Sequence, residues 1–235
     1  MLDFLQDNKK HTICLVGGGG KTTLLYELAE HFAAQGRRVL VLTSTHILQP
    51  DALVYAENAV AARALWQRGS YAVIGTPEPA SGKLTLPPMA LYAELWQQAD
   101  IILCEADGAK RLPCKLPAAH EPVLLPECDI VLAVAGADAL GRALGEVCFR
   151  FELAQCWLTD AAGLETLGAV KIDAELLACL LTDERGARKN VGSRAYYVIL
   201  NKCDTITEEL AQRVRTALLG KGLAAERIWL RGRKK

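Results

Sequence analysis

No C-x-x-C pair occurs anywhere in the 235-residue chain, although it contains eight cysteines. That absence argues against the zinc site that so many cysteines could suggest. Cys14, Cys104 and Cys203 lie in or beside hydrophobic runs, where cysteine is a small apolar filler. The thiols are expected to be reduced and mostly structural, with Cys114 set apart by its basic, proline-flanked loop. Net charge is also lacking: 27 basic residues balance 27 acidic ones. There is therefore no global attraction to nucleic acid or to an anionic membrane. The first seven residues, Met1-Leu2-Asp3-Phe4-Leu5-Gln6-Asp7, lack the basic start and apolar core of a secretory signal. The most apolar stretch, Ile130 to Leu140, is interrupted by Gly136 and Asp138, which excludes a spanning helix. A soluble cytoplasmic protein without a membrane partner is expected. No internal repeat, low-complexity tract or linker divides the chain, so residues 1–235 read as one domain.

What is present is an alternation of buried strands and amphipathic helices. Thr12-Ile13-Cys14-Leu15-Val16 is a short apolar run ending in glycines, as expected of a strand buried on both faces. Leu24, Leu25, Leu28 and Phe32 then recur at helical spacing, and Gly36 supplies a stop. Further strands are predicted at Val39–Leu42, Tyr71–Ile74, Ile101–Cys104, Ile130–Val134, Tyr196–Leu200 and Ile228–Leu230. Helices are predicted over Ala59–Trp66 and Pro88–Gln98, after Asp173, and after Thr207, the last carrying Leu210, Val214, Ala217 and Leu218. Pro77–Gly82 reads as a surface turn or hairpin tip, Ala109–Pro126 as a polar, proline-rich loop, and Phe149–Leu181 as mainly helical. This order predicts an α/β protein with a three-layer, P-loop NTPase-like fold around a mostly parallel sheet. Ligands of such sheets bind at the carboxyl ends of strands, where three motifs fall.

Gly17-Gly18-Gly19-Gly20-Lys21-Thr22-Thr23 joins the first strand to the first helix. Glycine amides and a helix N-terminus suit phosphate oxygens, Lys21 suits the β- and γ-phosphates, and the Thr22 hydroxyl suits Mg²⁺. The longer spacing of this motif requires glycine at position 15, where Leu15 stands, so the loop fits a shorter G-x-x-G-K-T-T form. Glu105-Ala106-Asp107-Gly108 follows a buried strand and offers two carboxylates for the Mg²⁺ shell. Either acid satisfies that role, and Asp107 is also a candidate base. Asn201-Lys202-Cys203-Asp204 matches N-K-x-D. A carboxylate at position 204 can accept from guanine N1–H and its exocyclic amine, which favours GTP over ATP.

Together these residues resemble the accessory-protein family of selenium-dependent molybdenum hydroxylases, the YqeC type. Further matching segments are Thr43-Ser44-Thr45-His46, Ala109-Lys110, Pro117-Ala118-Ala119-His120-Glu121-Pro122 and Ala135 to Gly141. The E-A-D-G-A-K and H-E-P segments carry the likeness most specifically. The resemblance implies a role in maturing hydroxylases with a labile selenium at a molybdopterin centre, with the hydroxylase or its cofactor as partner. One departure is the absence of a serine-alanine guanine-backing motif near Ile228-Trp229-Leu230-Arg231-Gly232-Arg233.

Lys110, Arg111, Lys115, His120 and Glu121 lie beyond the acidic motif and are candidates to receive an anionic second substrate. His46 and His120 are candidate acid–base or metal groups. The primary expectation is a Mg²⁺-dependent nucleoside triphosphatase using GTP or ATP. An ATP-dependent kinase or ligase acting on a small anionic acceptor is an alternative, since the short loop also resembles that of Mur-type amide ligases. A non-catalytic, nucleotide-gated carrier is a third.

Overall fold

The computed structural model describes residues 7–158 and 164–232. The expected class is met by a seven-stranded, mostly parallel sheet accompanied by helices. Its strands are β1 (His11–Gly17), β2 (Val39–Thr43), β3 (Ala72–Val73), β4 (Ile101–Glu105), β5 (Ile130–Gly136), β6 (Ala195–Asn201) and β7 (Ile228–Leu230). They lie in the order β7-β6-β5-β1-β4-β2-β3. The longer helices are α1 (Lys21–Ala34), α2 (Ala59–Gln67), α3 (Met89–Gln98), α4 (Ala174–Thr182) and α5 (Glu208–Gly220). No helix among the described residues is long and apolar enough to cross a membrane.

The described residues fall into two compact units, and the division passes through β1 and the loop after it. The first unit comprises residues up to 14, 22–106 and 124–130. Within it, β2 pairs in parallel with both β4 and β3. All five residues of β2 and of β4 are buried, as their unbroken apolar runs require. Leu24, Leu25, Leu28 and Phe32 of α1 are at most 1% exposed, each stabilising the unit by roughly 1.5–3 kcal/mol through burial. Gly36, at φ +77°, ends the α1 segment in the left-handed region. The Asn58 side chain accepts the Ala61 amide and caps α2. The hairpin tip is present: Thr76–Glu78 pairs antiparallel with Lys83–Thr85, which in turn pairs with Ile47–Leu48.

The second unit comprises residues 15–21, 107–123 and 131 onward. Here β6 pairs in parallel with β7, and α4 packs against α5. Both expected caps are present, Asp173 accepting from the Leu176 amide at 2.8 Å and Thr207 from that of Leu210 at 3.3 Å. In α5 the inward stripe is Ala211, Val214, Ala217 and Leu218, with Leu210 only half-buried.

One expectation is corrected. The stretch 109–126 is not wholly loop, because Cys114–Lys115 forms a short strand parallel to Cys148–Phe149. Two-residue strands carry no periodicity that a sequence can display. The stretch 149–181 is mainly helical among its described residues, as expected, with helical segments at Phe151–Ala154, Gln155–Leu158, Leu164–Ala169 and Ala174–Thr182. Residues 159–163, the first six residues and the basic tail from Arg233 lie outside the described residues. Cys14, Cys104, Cys114, Cys128 and Cys148 are buried and Cys179 and Cys203 partly buried, and none of these is in a disulfide.

Candidate functional site

The glycine loop begins where β1 ends at Gly17 and closes where α1 begins at Lys21. It is threaded between other backbone segments of its unit. The Gly17 amide donates to Asp107 Oδ2 at 3.0 Å, Gly18 to the Val134 carbonyl at 2.8 Å, and Gly19 to the Leu112 carbonyl at 2.9 Å. Three of the four glycine amides assigned to phosphate therefore bind protein acceptors. The amides that open the helix, from Gly20 to Thr23, are those without an intrahelical acceptor. The glycines serve close passage instead: a Cβ on Gly19, at φ +73°, would lie 2.0 Å from the Gly136 nitrogen.

Lys21 is 4% exposed and curls back over the loop. Its Nζ donates to the Gly17 carbonyl at 2.5 Å and lies 3.1 Å from Asp107 Oδ1. Asp107, 2% exposed, also faces a second lysine, with Lys115 Nζ 3.3 Å from its Oδ2. Lys115 is in turn 2.7 Å from Glu121 Oε2, which Arg150 Nη1 and the Ala118 amide also approach. Three cations and two carboxylates thus form one chain of charges. Asp107 Oδ1 and Lys115 Nζ are buried and stand at ion-pair distances, yet neither makes a hydrogen bond of acceptable geometry. Burial pushes the Glu121 carboxyl upward. Lys115, the Ala118 amide and Arg150 outweigh that effect and hold it below its ordinary value.

The second-substrate candidates divide. Lys115 and Glu121 are buried in this network, whereas Lys110, Arg111 and His120 are exposed. Lys110 and Arg111 are both left-handed, and the Lys110 ammonium stands 4.9 Å from the centre of the Phe149 ring. The Arg150 guanidinium stands 4.5 Å from the same ring. Cys114 is 3% exposed, and burial raises its thiol well above the ordinary range, which removes the reactivity its basic loop suggested.

Within the first unit, Glu105 is the last residue of β4 and is 6% exposed. The Thr22 hydroxyl donates to its Oε2 at 2.6 Å, while its backbone carbonyl accepts from the Thr43 hydroxyl at 2.9 Å. Tyr26 lies one turn after Thr22 on α1. Its buried hydroxyl has no hydrogen-bond partner, and burial, Tyr71 and Glu105 all raise its pKa. Thr23 and His46 are exposed. The two acids of the E-A-D-G segment thus take different partners, a hydroxyl for Glu105 and two ammonium groups for Asp107. No cluster of three or more His, Cys, Asp or Glu suited to a metal occurs among the described residues. A Mg²⁺ bound by one or two protein oxygens plus phosphates and water needs none.

The N-K-x-D segment follows β6. Asn201, 4% exposed, donates from Nδ2 to the Gly19 carbonyl at 2.9 Å, so the segment touches the glycine loop. Its Oδ1 accepts from Arg231 Nη1 at 2.8 Å. Lys202 is left-handed, with Nζ 2.7 Å from Asp138 Oδ2, and Asp204 is exposed. The place expected for a serine-alanine motif is taken by Arg231, whose amide and carbonyl bond Leu200 and Cys203. Asp138, Arg150 and Arg231 were not among the expected site residues. Asp138 at least lies in a segment that carried the resemblance; the two arginines gave no local signal.

Residues 13–152 match the protein family described as YqeC protein. A relative from Escherichia coli (strain K12), named Uncharacterized protein YqeC, is 30% identical over 232 residues, which span 90% of this chain and 84% of the relative.

Proposed function

Because the chain belongs to the YqeC family, we propose that it is a Mg²⁺-dependent P-loop nucleoside triphosphatase, favouring GTP over ATP, that serves the maturation of selenium-dependent molybdenum hydroxylases. The observation that carries the nucleotide reading is Lys21. It is a buried ammonium folded back onto the Gly17 carbonyl at the mouth of a helix whose first amides lack intrahelical acceptors. A triphosphate supplies what both groups want, oxygens for the amides and negative charge for the ammonium. Lys21 and those amides would then stabilise charge on the transferring phosphoryl group.

Thr22 and Glu105 suit the metal. Both offer oxygen ligands, and their 2.6 Å hydrogen bond already holds the hydroxyl and carboxylate together. When bound, Mg²⁺ supplies charge neutralisation on the phosphate oxygens. Asp107 remains a candidate for the metal shell or for orienting water, but its partners favour another task, that of counter-ion to Lys21. Asn201, anchored on the Gly19 carbonyl, links the N-K-x-D segment to the glycine loop, and the exposed Asp204 would accept from a guanine edge.

The test is a comparison of Mg·GTP and Mg·ATP binding by the parent chain and by Lys21→Ala. Loss of at least a hundredfold in affinity is expected. Equal binding by the two proteins overturns the reading. A second reading, transfer to an anionic acceptor, is favoured by the exposed and left-handed Lys110 and Arg111. It predicts product formation that rises with a small phosphorylated or carboxylated acceptor and falls in Lys110→Ala.

A further inference from the structure

The charge chain behind Lys21 contains one more cation than its internal pairing needs, and the position of that cation has a mechanistic reading. Asp107 is 2% exposed, and a carboxylate buried so deeply is strongly disfavoured without a countercharge. In the described arrangement it faces two ammonium groups, Lys21 at 3.1 Å and Lys115 at 3.3 Å. A lysine that serves a phosphate cannot also remain committed to Asp107. With Lys21 as its sole partner, Asp107 would hold that lysine back, and every phosphate bound would strand a buried charge.

We propose that Lys115 is a positioning residue that keeps Asp107 compensated while Lys21 turns to a bound phosphate. The inference rests on the triphosphate reading of the loop. Four observations support it. The Lys115 side chain is 1% exposed, so it has no competing solvent partner. Asp107 Oδ2 is pinned by the Gly17 amide at 3.0 Å, which keeps the carboxylate in place when Lys21 departs. Asp107 Oδ1 is buried and has no hydrogen-bond partner, so it keeps bonding capacity when Lys21 leaves. Glu121 also contacts Arg150, so it is not stranded when Lys115 leans toward Asp107. The surplus positive charge of Lys21, Lys115 and Arg150 over Asp107 and Glu121 is then met by the arriving anion.

A lysine that merely holds the fold together makes a different prediction from one that frees Lys21, and a double-variant cycle separates them. Titration calorimetry with Mg·GTP and Mg·ATP is run on the full chain, with melting temperatures measured in parallel. The proteins are the parent, Lys21→Ala, Lys115→Met, Asp107→Asn and the Lys115→Met/Asp107→Asn pair. Lys115→Met is expected to bind at least tenfold more weakly, because Asp107 then competes undivided for Lys21. Adding Asp107→Asn removes that competition, so the double variant should recover to within threefold of Asp107→Asn alone. Parent-like affinity in Lys115→Met overturns the proposal, as does a double variant no tighter than Lys115→Met. If Lys115→Met fails to fold, the comparison of the double variant with Asp107→Asn decides alone, and a tenfold gap between them overturns the idea. Parent-like binding by Lys21→Ala is a separate failure, that of the triphosphate reading itself.

Discussion

The surroundings of Lys21, the proposed phosphate end, and those of Asn201, the proposed base end, lie in the same unit but are built on opposite terms. At the phosphate end, Lys21, Asp107, Lys115 and Glu121 are each at most 5% exposed, and every charge leans on another. At the base end only the root is buried. Asn201 is 4% exposed and held from both sides, whereas Asp204, three residues on, is exposed. Buried charges that compensate one another tie binding to folding, because removing one strands its partner. An exposed carboxylate anchored through a buried neighbour lets selectivity vary with little effect on the fold. Substitutions should therefore lower stability at the first end and change selectivity at the second.

The contrast can be tested from its most sensitive point outward. Gly19→Ala places a Cβ against the Gly136 backbone at a left-handed position, with no flexible side chain available to give way. Destabilisation of more than about 3 kcal/mol is expected in urea unfolding; a parent-like midpoint would mean that the loop is not threaded as described. Glu121→Ala removes the carboxylate shared by Lys115 and Arg150. The same measurement should register a loss of about 3–5 kcal/mol, and a loss below about 1 kcal/mol would break the claim that this end is interlocked. Asp204→Asn, at the open end, should leave the melting curve in place and reduce the preference for GTP over ATP at least tenfold, about 1.4 kcal/mol. An intact preference would be fatal to the guanine assignment, and a large fall in melting temperature would erase the contrast.

The smallest expected effect is a pH dependence. Glu121 is held below its ordinary value of 4.5, so the folded state favours its ionised form. Its contribution is fully present above that ordinary value and is lost as pH falls through the lower, folded value. The stability gap between the parent and Glu121→Gln should therefore narrow on going from pH 7 to acid below pH 4. A gap that widens in acid would show the sign to be wrong.

The elements that were legible in the sequence are those whose cause is local. An apolar run ending in glycines, followed by Leu24, Leu25, Leu28 and Phe32, placed β1, the loop and α1, because strand and helix each write a period into the chain. Asp173 and Thr207 were readable as caps because a cap bonds an amide three residues away. Lys115 looked like one more cation of a basic loop. Its burial depends on a two-residue pairing between Cys114–Lys115 and Cys148–Phe149, which leaves no pattern. Arg231 reaches Asn201 across thirty positions, and nothing beside it announces the contact. The four glycines announced a tight loop correctly, but a sequence does not say which acceptor an amide will meet. Three of them meet protein.

The buried thiols give the protein an internal set of reporters. Cys14, Cys104 and Cys128 belong to one unit, and Cys114 and Cys148 to the other. Burial raises the Cys114 thiol well above its usual range and pushes Cys148 up to about 12. Only the thiolate is alkylated at a useful rate, so both stay silent to iodoacetamide until their surroundings open. Timed labelling read by mass spectrometry would then track the opening of each unit through its own cysteines. Added triphosphate should slow the clock at Cys114, whose neighbour Lys115 touches Asp107, if ligand and charge chain tighten together.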